Sequence, residues 1–225
     1  MPQNDFFRII RLFAGLTAYS LGITLTIQAD IGLAPWDVFH HGVALWTGIT
    51  FGMASIAVSA VIVAVSYLFR ERFGIGTILN VFYIGIVIDA LMLSGLITKA
   101  RSLAGGIFMM AEGLFVIAFA TFLYMGSGYG AGPRDSLMVV LSKRTGKAVG
   151  LCRGAVELTA LIAGWALGGR IGVGTIVSAF GIGAAVQIVF ALTRFDVKAI
   201  EHEPAGKTLA RAMVFLRPQK PRERK

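Results

Sequence analysis

Six apolar runs, at about residues 9–27, 52–69, 75–97, 103–125, 149–169 and 171–193, constrain this chain more than any other feature. Each is close to the roughly 20 residues that a helix needs to cross about 30 Å of hydrocarbon. With 56% hydrophobic residues, 15% charged residues and a mean hydropathy of +0.76, the chain lies far outside the soluble range. It reads as an all-α integral membrane protein with six transmembrane helices. Arg8 and Arg11 precede the first run as in a secretory signal, but its apolar stretch outlasts the about 7–15 residues of a signal core, so it is expected to be a retained helix.

The runs form two sets. Sliding the chain by 98 residues aligns 15–89 with 113–187 without a gap, and 19 of the 75 pairs are identical. Gly32, Pro35, Asp37, Thr47, Gly48 and Gly52 meet Gly130, Pro133, Asp135, Thr145, Gly146 and Gly150, and RFGIGTI (72–78) meets RIGVGTI (170–176). Shared apolar composition does not readily put Pro, Asp, Thr and several Gly in register, so the pattern reads as an internal duplication. It divides the chain into a first three-helix repeat over 1–100, a second over 101–193 and a basic tail over 194–225.

Between the first and second long helices of each set lies a short Pro-x-Asp segment, GLAPWDVFHHG (32–42) in one and GPRDSLM (132–138) in the other. A helix from Pro35 to about Trp46 is roughly 18 Å long, well short of the hydrocarbon core. The second copy holds Arg134, Asp135, Lys143 and Arg144, each costly at the bilayer centre. Both segments are expected to be re-entrant or interfacial half-helices. Three spans per repeat is an odd number, so the second repeat enters the membrane inverted, as in many transporters and channels.

Charge sets the orientation. With six spans and the N-terminus inside, inner segments carry 18 Lys and Arg against 3 outside, which places both termini in the cytoplasm. Eight spans with parallel repeats would give 17 against 4, so charge does not separate the two topologies. The net charge of +9 falls mostly in the tail, which suits an anionic membrane surface rather than nucleic acid. Within it, 207–216 reads as a short amphipathic helix.

Two readings of the Pro-x-Asp segments stand side by side. Proline at the first helical position with an acid in the first turn is a helix start, and that alone accounts for Pro35 with Asp37 and Pro133 with Asp135. A half-helix ending inside a membrane protein also turns free N–H groups toward a cavity, where they can hold a polar or anionic solute. His40 shares a helical face with Asp37, whereas His41 diverges from His40 by about 100°. Asn80, Asp89 and Glu157 lie within spans and complete the candidate solute-binding set, since polar groups at such depth usually face a cavity or a partner. Arg153, one turn before Glu157, could simply neutralise it. Glu112 lies within the fourth span, and Gln187 matches Asp89.

No Cys/His cluster has metal-site spacing, and the single Cys152 forms no internal disulfide. The paired G-x-G-T sequences lack the third glycine and the βαβ context of a dinucleotide fingerprint, and no Walker A motif occurs. No cofactor is expected. With no paired nucleophile and base, no enzyme is expected either.

On GLAPWDVFHHG, TGITFG (47–52) and RFGIGTILN (72–80), the chain resembles the YczE-type bacterial membrane proteins, relatives of the YitT group, over roughly 12–193. The resemblance implies a multi-pass protein of the bacterial inner membrane and leaves the substrate open. The second half carries Arg134 where Trp36 stands and lacks both histidines, so any role there is asymmetric. The expected function is a transporter or channel for a small solute. The alternative is a membrane scaffold or regulator acting through its basic tail.

Overall fold

The computed structural model describes residues 5–69, 73–130 and 132–195. The basic tail beyond 195, with its 207–216 segment, and Arg70 and Arg72 lie outside the described residues. Eight helices follow in order: α1 Asp5–Gln28, α2 Pro35–Thr47, α3 Phe51–Leu68, α4 Ile75–Ser94, α5 Leu103–Met125, α6 Pro133–Thr145, α7 Val149–Ala166 and α8 Val173–Thr193. Among the described residues five of them, α1, α3, α4, α5 and α8, are long and apolar enough to cross a membrane. The sixth expected span, α7, has 18 residues but carries Arg153 and Glu157 in its first half, and it is not among the five.

The short helices form where the sequence places them. Pro35 and Pro133 occupy the first helical turn, where a missing N–H has no carbonyl to lose. Gly48 and Gly146 end α2 and α6 in the left-handed conformation, at φ 75° and 69°, and their N–H groups close onto Ala44 and Ser142. Each helix has 13 residues, about 20 Å, two-thirds of the hydrocarbon thickness.

α1 and α5 form the central pair and run antiparallel. A side chain at Gly15 would meet the backbone nitrogen of Tyr124 at 2.6 Å, and one at Gly113 would meet that of Thr26 at 3.1 Å. Close approach through small residues is how helices gain van der Waals contact in lipid, where no hydrophobic drive separates one apolar neighbour from another. At one end of this pair Arg11 donates to the carbonyl of Phe122 at 3.2 Å, in the last turn of α5, and Arg8 donates to that of Ser127 at 2.9 Å, in the turn that follows.

Around this pair α4 flanks α1 and α8 flanks α5, while each short helix packs on a long helix of the other half, α2 on α7 and α6 on α3. The turns before the short helices make matching contacts. The N–H of Gly174 donates to Ile31 at 2.8 Å, and that of Gly76 donates to Tyr129 at 2.9 Å, two pairs related by the 98-residue offset. Gly32 (φ 116°) and Gly130 (φ 131°) hold conformations open in practice to glycine alone, and a Cβ on Gly32 would strike Gly172 at 2.6 Å. One pair does not match. α3 and α4 press together at Gly52 and Gly85, where a Cβ on Gly85 would meet the Gly52 carbonyl at 2.6 Å, but Gly150 and Gly183 face open space.

The outer surface is apolar, with Phe82, Leu93, Phe108, Phe115, Phe180 and Leu192 all exposed. Small and hydroxyl residues such as Ser20, Thr24, Thr77 and Ser178 are buried inside. Lipid removes the reason to hide apolar side chains, so the interior is free to hold polar ones if they are satisfied.

Candidate functional site

The N-terminal ends of α2 and α6 open onto one cavity of about 140 Å³, roofed by the long helices. Pro35, Trp36 and Asp37 line it from α2, and Gly132, Pro133 and Arg134 from α6. Neither short helix has a side-chain cap at its N-cap residue, and the first N–H groups of each have no carbonyl partner within the helix. The remaining wall also comes in matched positions 98 apart: Ser55 with Arg153, Ser59 with Glu157, Asn80 with Ser178 and Ile84 with Ile182. The frame is shared while the chemistry is not. Serines of α3 face charges of α7, and the indole of Trp36 faces the guanidinium of Arg134.

Asp37 is the most constrained group here. It is 4% exposed, and its Oδ1 accepts no hydrogen bond among the described residues. The nearest basic groups are the imidazole of His40, with Nδ1 at 3.5 Å one helical turn on, and the Arg134 guanidinium at 3.8 Å. The positive end of α2 contributes roughly 0.3–1 kcal/mol, up to about 2, to a carboxylate in its first turn. Desolvating a carboxylate costs several kcal/mol even after relaxation. The dipole alone therefore leaves Asp37 undercompensated, and Arg134 is too far for a hydrogen bond. His40 is 1% exposed, sits edge-on to Phe51 at 5.8 Å, and neither of its nitrogens has a hydrogen-bond partner among the described residues. The Trp36 indole N–H is likewise without one. Glu157, by contrast, accepts from Arg153 Nε at 2.8 Å.

The candidate residues separate accordingly. Pro35, Asp37, Asn80, Pro133 and Glu157 converge on the cavity, and His40 stands behind Asp37. Asp135 lies in the first turn of α6, and its side chain lies outside the described residues. Asp89 is elsewhere. Its carboxylate accepts from the Gly52 N–H at 2.8 Å and from the Thr50 hydroxyl, so it caps the start of α3. His41 points away from His40, into a second cavity beside Asp30, Lys99 and Arg170. Glu112 is exposed on α5. Sequence reasoning missed Arg134, Ser55, Ser59 and Ser178 as wall residues, and Arg153, which pairs with Glu157 as its spacing allows, also lines the wall. The available signal was the offset itself, since four of these five are the counterparts of Trp36, Asn80, Glu157 and Ser55.

A family of unknown function, DUF6198, matches residues 6–191. The chain is 35% identical over 212 residues to the uncharacterized membrane protein YczE of Bacillus subtilis strain 168, covering 93% of this chain and 96% of that one. It is 31% identical over 178 residues to an uncharacterized protein of Haemophilus influenzae, covering 79% and 80%, and 26% identical over 166 residues to the uncharacterized protein YyaS of B. subtilis, covering 73% and 83%. No solved structure matches. The match to DUF6198 along almost the whole helical part, and the near end-to-end likeness to YczE, make this chain a member of the YczE-type family of multi-pass membrane proteins.

Proposed function

We propose that the protein is a secondary transporter or channel for a small polar solute, built from two inverted repeats of three spans and one half-helix each, in the bacterial inner membrane with both termini cytoplasmic. One observation carries this reading: two short-helix N-termini from positions 98 residues apart open onto one cavity that also holds Asp37, Arg134, Arg153 and Glu157.

Two further relationships support it. The segment from Asp30 to Thr50 starts and finishes at one face, because Asp30 pairs with Arg170 at 2.7 Å and Lys99 at 3.5 Å while Thr50 bonds Asp89, ten residues before Lys99. The corresponding segment starts at Ser127, held by Arg8, and finishes at Arg144, which lies over the Phe69 ring at 5.0 Å, at the opposite face. Re-entrance from opposite sides is what inverted repeats require. The closed Gly52–Gly85 contact and its open counterpart at Gly150 and Gly183 fit alternating access, in which the halves exchange conformations around a central site.

The test is flux. Purified protein in liposomes is offered a pooled set of isotope-labelled small polar metabolites, and uptake is read by mass spectrometry against protein-free vesicles. Selective uptake by the native chain, lost in Asp37→Asn protein that still elutes as a folded species, is the expected result. Uptake at the level of protein-free vesicles would overturn transport and leave the scaffold reading.

A further inference from the structure

We infer that the solute of this cavity is a small zwitterion, carrying a carboxylate and an ammonium or quaternary ammonium group. The inference rests on the cavity described above as a solute site, though not on movement of that solute across the membrane.

Charge balance is the first argument. Asp37 and Glu157 are matched on the described wall by Arg134 and Arg153. A solute with net charge would leave one unit uncompensated within the membrane, whereas separated opposite charges cancel pairwise against the wall. Glu157 and Arg153 already hold one another at 2.8 Å, which leaves Asp37 and Arg134 as the pair that can be divided.

Geometry is the second. At 3.8 Å the Asp37–Arg134 pair is longer than a hydrogen bond, and the Asp37 Oδ1 stays without a donor although it is almost fully buried. An ammonium at Asp37 supplies that donor. A carboxylate at Arg134 meets a planar fork of N–H groups in the first turn of α6, where the helix dipole also favours an anion. The Trp36 ring, 7% exposed and beside Asp37, carries the Arg134 guanidinium over it at 5.1 Å from the centroid, which holds that fork at the cavity. A simple anion would leave Asp37 as it is, and a simple cation would do the same for Arg134 and the α6 N-terminus.

The experiment measures thermal stabilisation of the full-length purified protein by glycine, β-alanine and glycine betaine, set against acetate and methylammonium at equal ionic strength, because a ligand that binds the native state raises its melting temperature. Saturable stabilisation by at least one zwitterion, absent with acetate and methylammonium, is expected. In Arg134→Gln and Asp37→Asn proteins the apparent affinity should fall at least about tenfold, the loss of one charged hydrogen bond, while Lys99→Gln leaves it unchanged. Stabilisation by acetate alone, by methylammonium alone, or by none of the five overturns the inference, and these arms need no variant to fold. Transport is judged separately. Zwitterion binding without flux sinks the transport reading and keeps the ligand class, and flux of other solutes without zwitterion stabilisation does the reverse.

Discussion

Arg134 lies over the indole ring of Trp36, 5.1 Å from its centroid, and the two residues are 98 apart, the same position in the two halves of the chain. If the two halves are related as proposed, residues that meet their own counterpart sit on the axis between them. Exchanging them should therefore be tolerated. The double variant Trp36→Arg/Arg134→Trp is expected to insert and elute like the native chain, whereas Trp36→Arg alone puts two guanidinium groups together and Arg134→Ala removes a contact of about 0.5–2 kcal/mol. Melting temperatures in one detergent check this. A double variant less stable than both singles would show that the two sites are not equivalent.

Much of the fold is legible in the amino-acid sequence. Length and hydropathy located the helices, and Pro35 and Pro133 marked both short ones to the residue. The fixed offset aligned Trp36 with Arg134, and the structure adds that the two meet. Other features needed three dimensions. Asp89 reads as a polar group adrift in a span, and nothing local says that it caps a helix 37 residues earlier. Arg153 reads as a partner for Glu157 at i, i+4, a rule that holds on any exposed helix and is silent about a cavity. The open contact between α7 and α8 was invisible as well, because Gly150 and Gly183 match Gly52 and Gly85 in sequence and differ only in packing.

Asp89 provides a stability test separate from solute binding. Its carboxylate satisfies the Gly52 N–H and the Thr50 hydroxyl at the point where α3 begins. Asp89→Ala leaves a backbone donor without its partner, at a cost of about 1–3 kcal/mol, and should lower the melting temperature without removing stabilisation by ligand. Gln187→Ala, at the counterpart position where the residue is exposed, should change stability by less than about 0.5 kcal/mol. Equal effects at the two positions would contradict the asymmetry between the α3–α4 and α7–α8 contacts.

Inversion of the halves predicts opposite sidedness for two lysines. Lys99 joins α4 to α5 beside Asp30 and Arg170, and Lys147 joins α6 to α7. In a Cys152→Ser background, Lys99→Cys is expected to react with an impermeant maleimide from the periplasmic side of intact cells. Lys147→Cys should react only after the membrane is opened. Reaction of both from one side would remove the inverted arrangement and with it the re-entrant half-helices.

The last prediction separates folding from function at the charged wall of α7. The first half of the chain has Ser55 and Ser59 where the second has Arg153 and Glu157, so Arg153→Ser/Glu157→Ser makes the two walls chemically alike. The Arg153 side chain is 47% exposed, and an ion pair of that kind contributes no more than about 1 kcal/mol. The double variant should melt close to the native protein. Its solute uptake should nonetheless fall sharply, because two of the four charges on the described wall are gone and the remaining Asp37 and Arg134 face a cavity open to water where the pair had stood. Uptake at native rates in this variant would confine the solute to the α2 and α6 ends and take α7 out of the site.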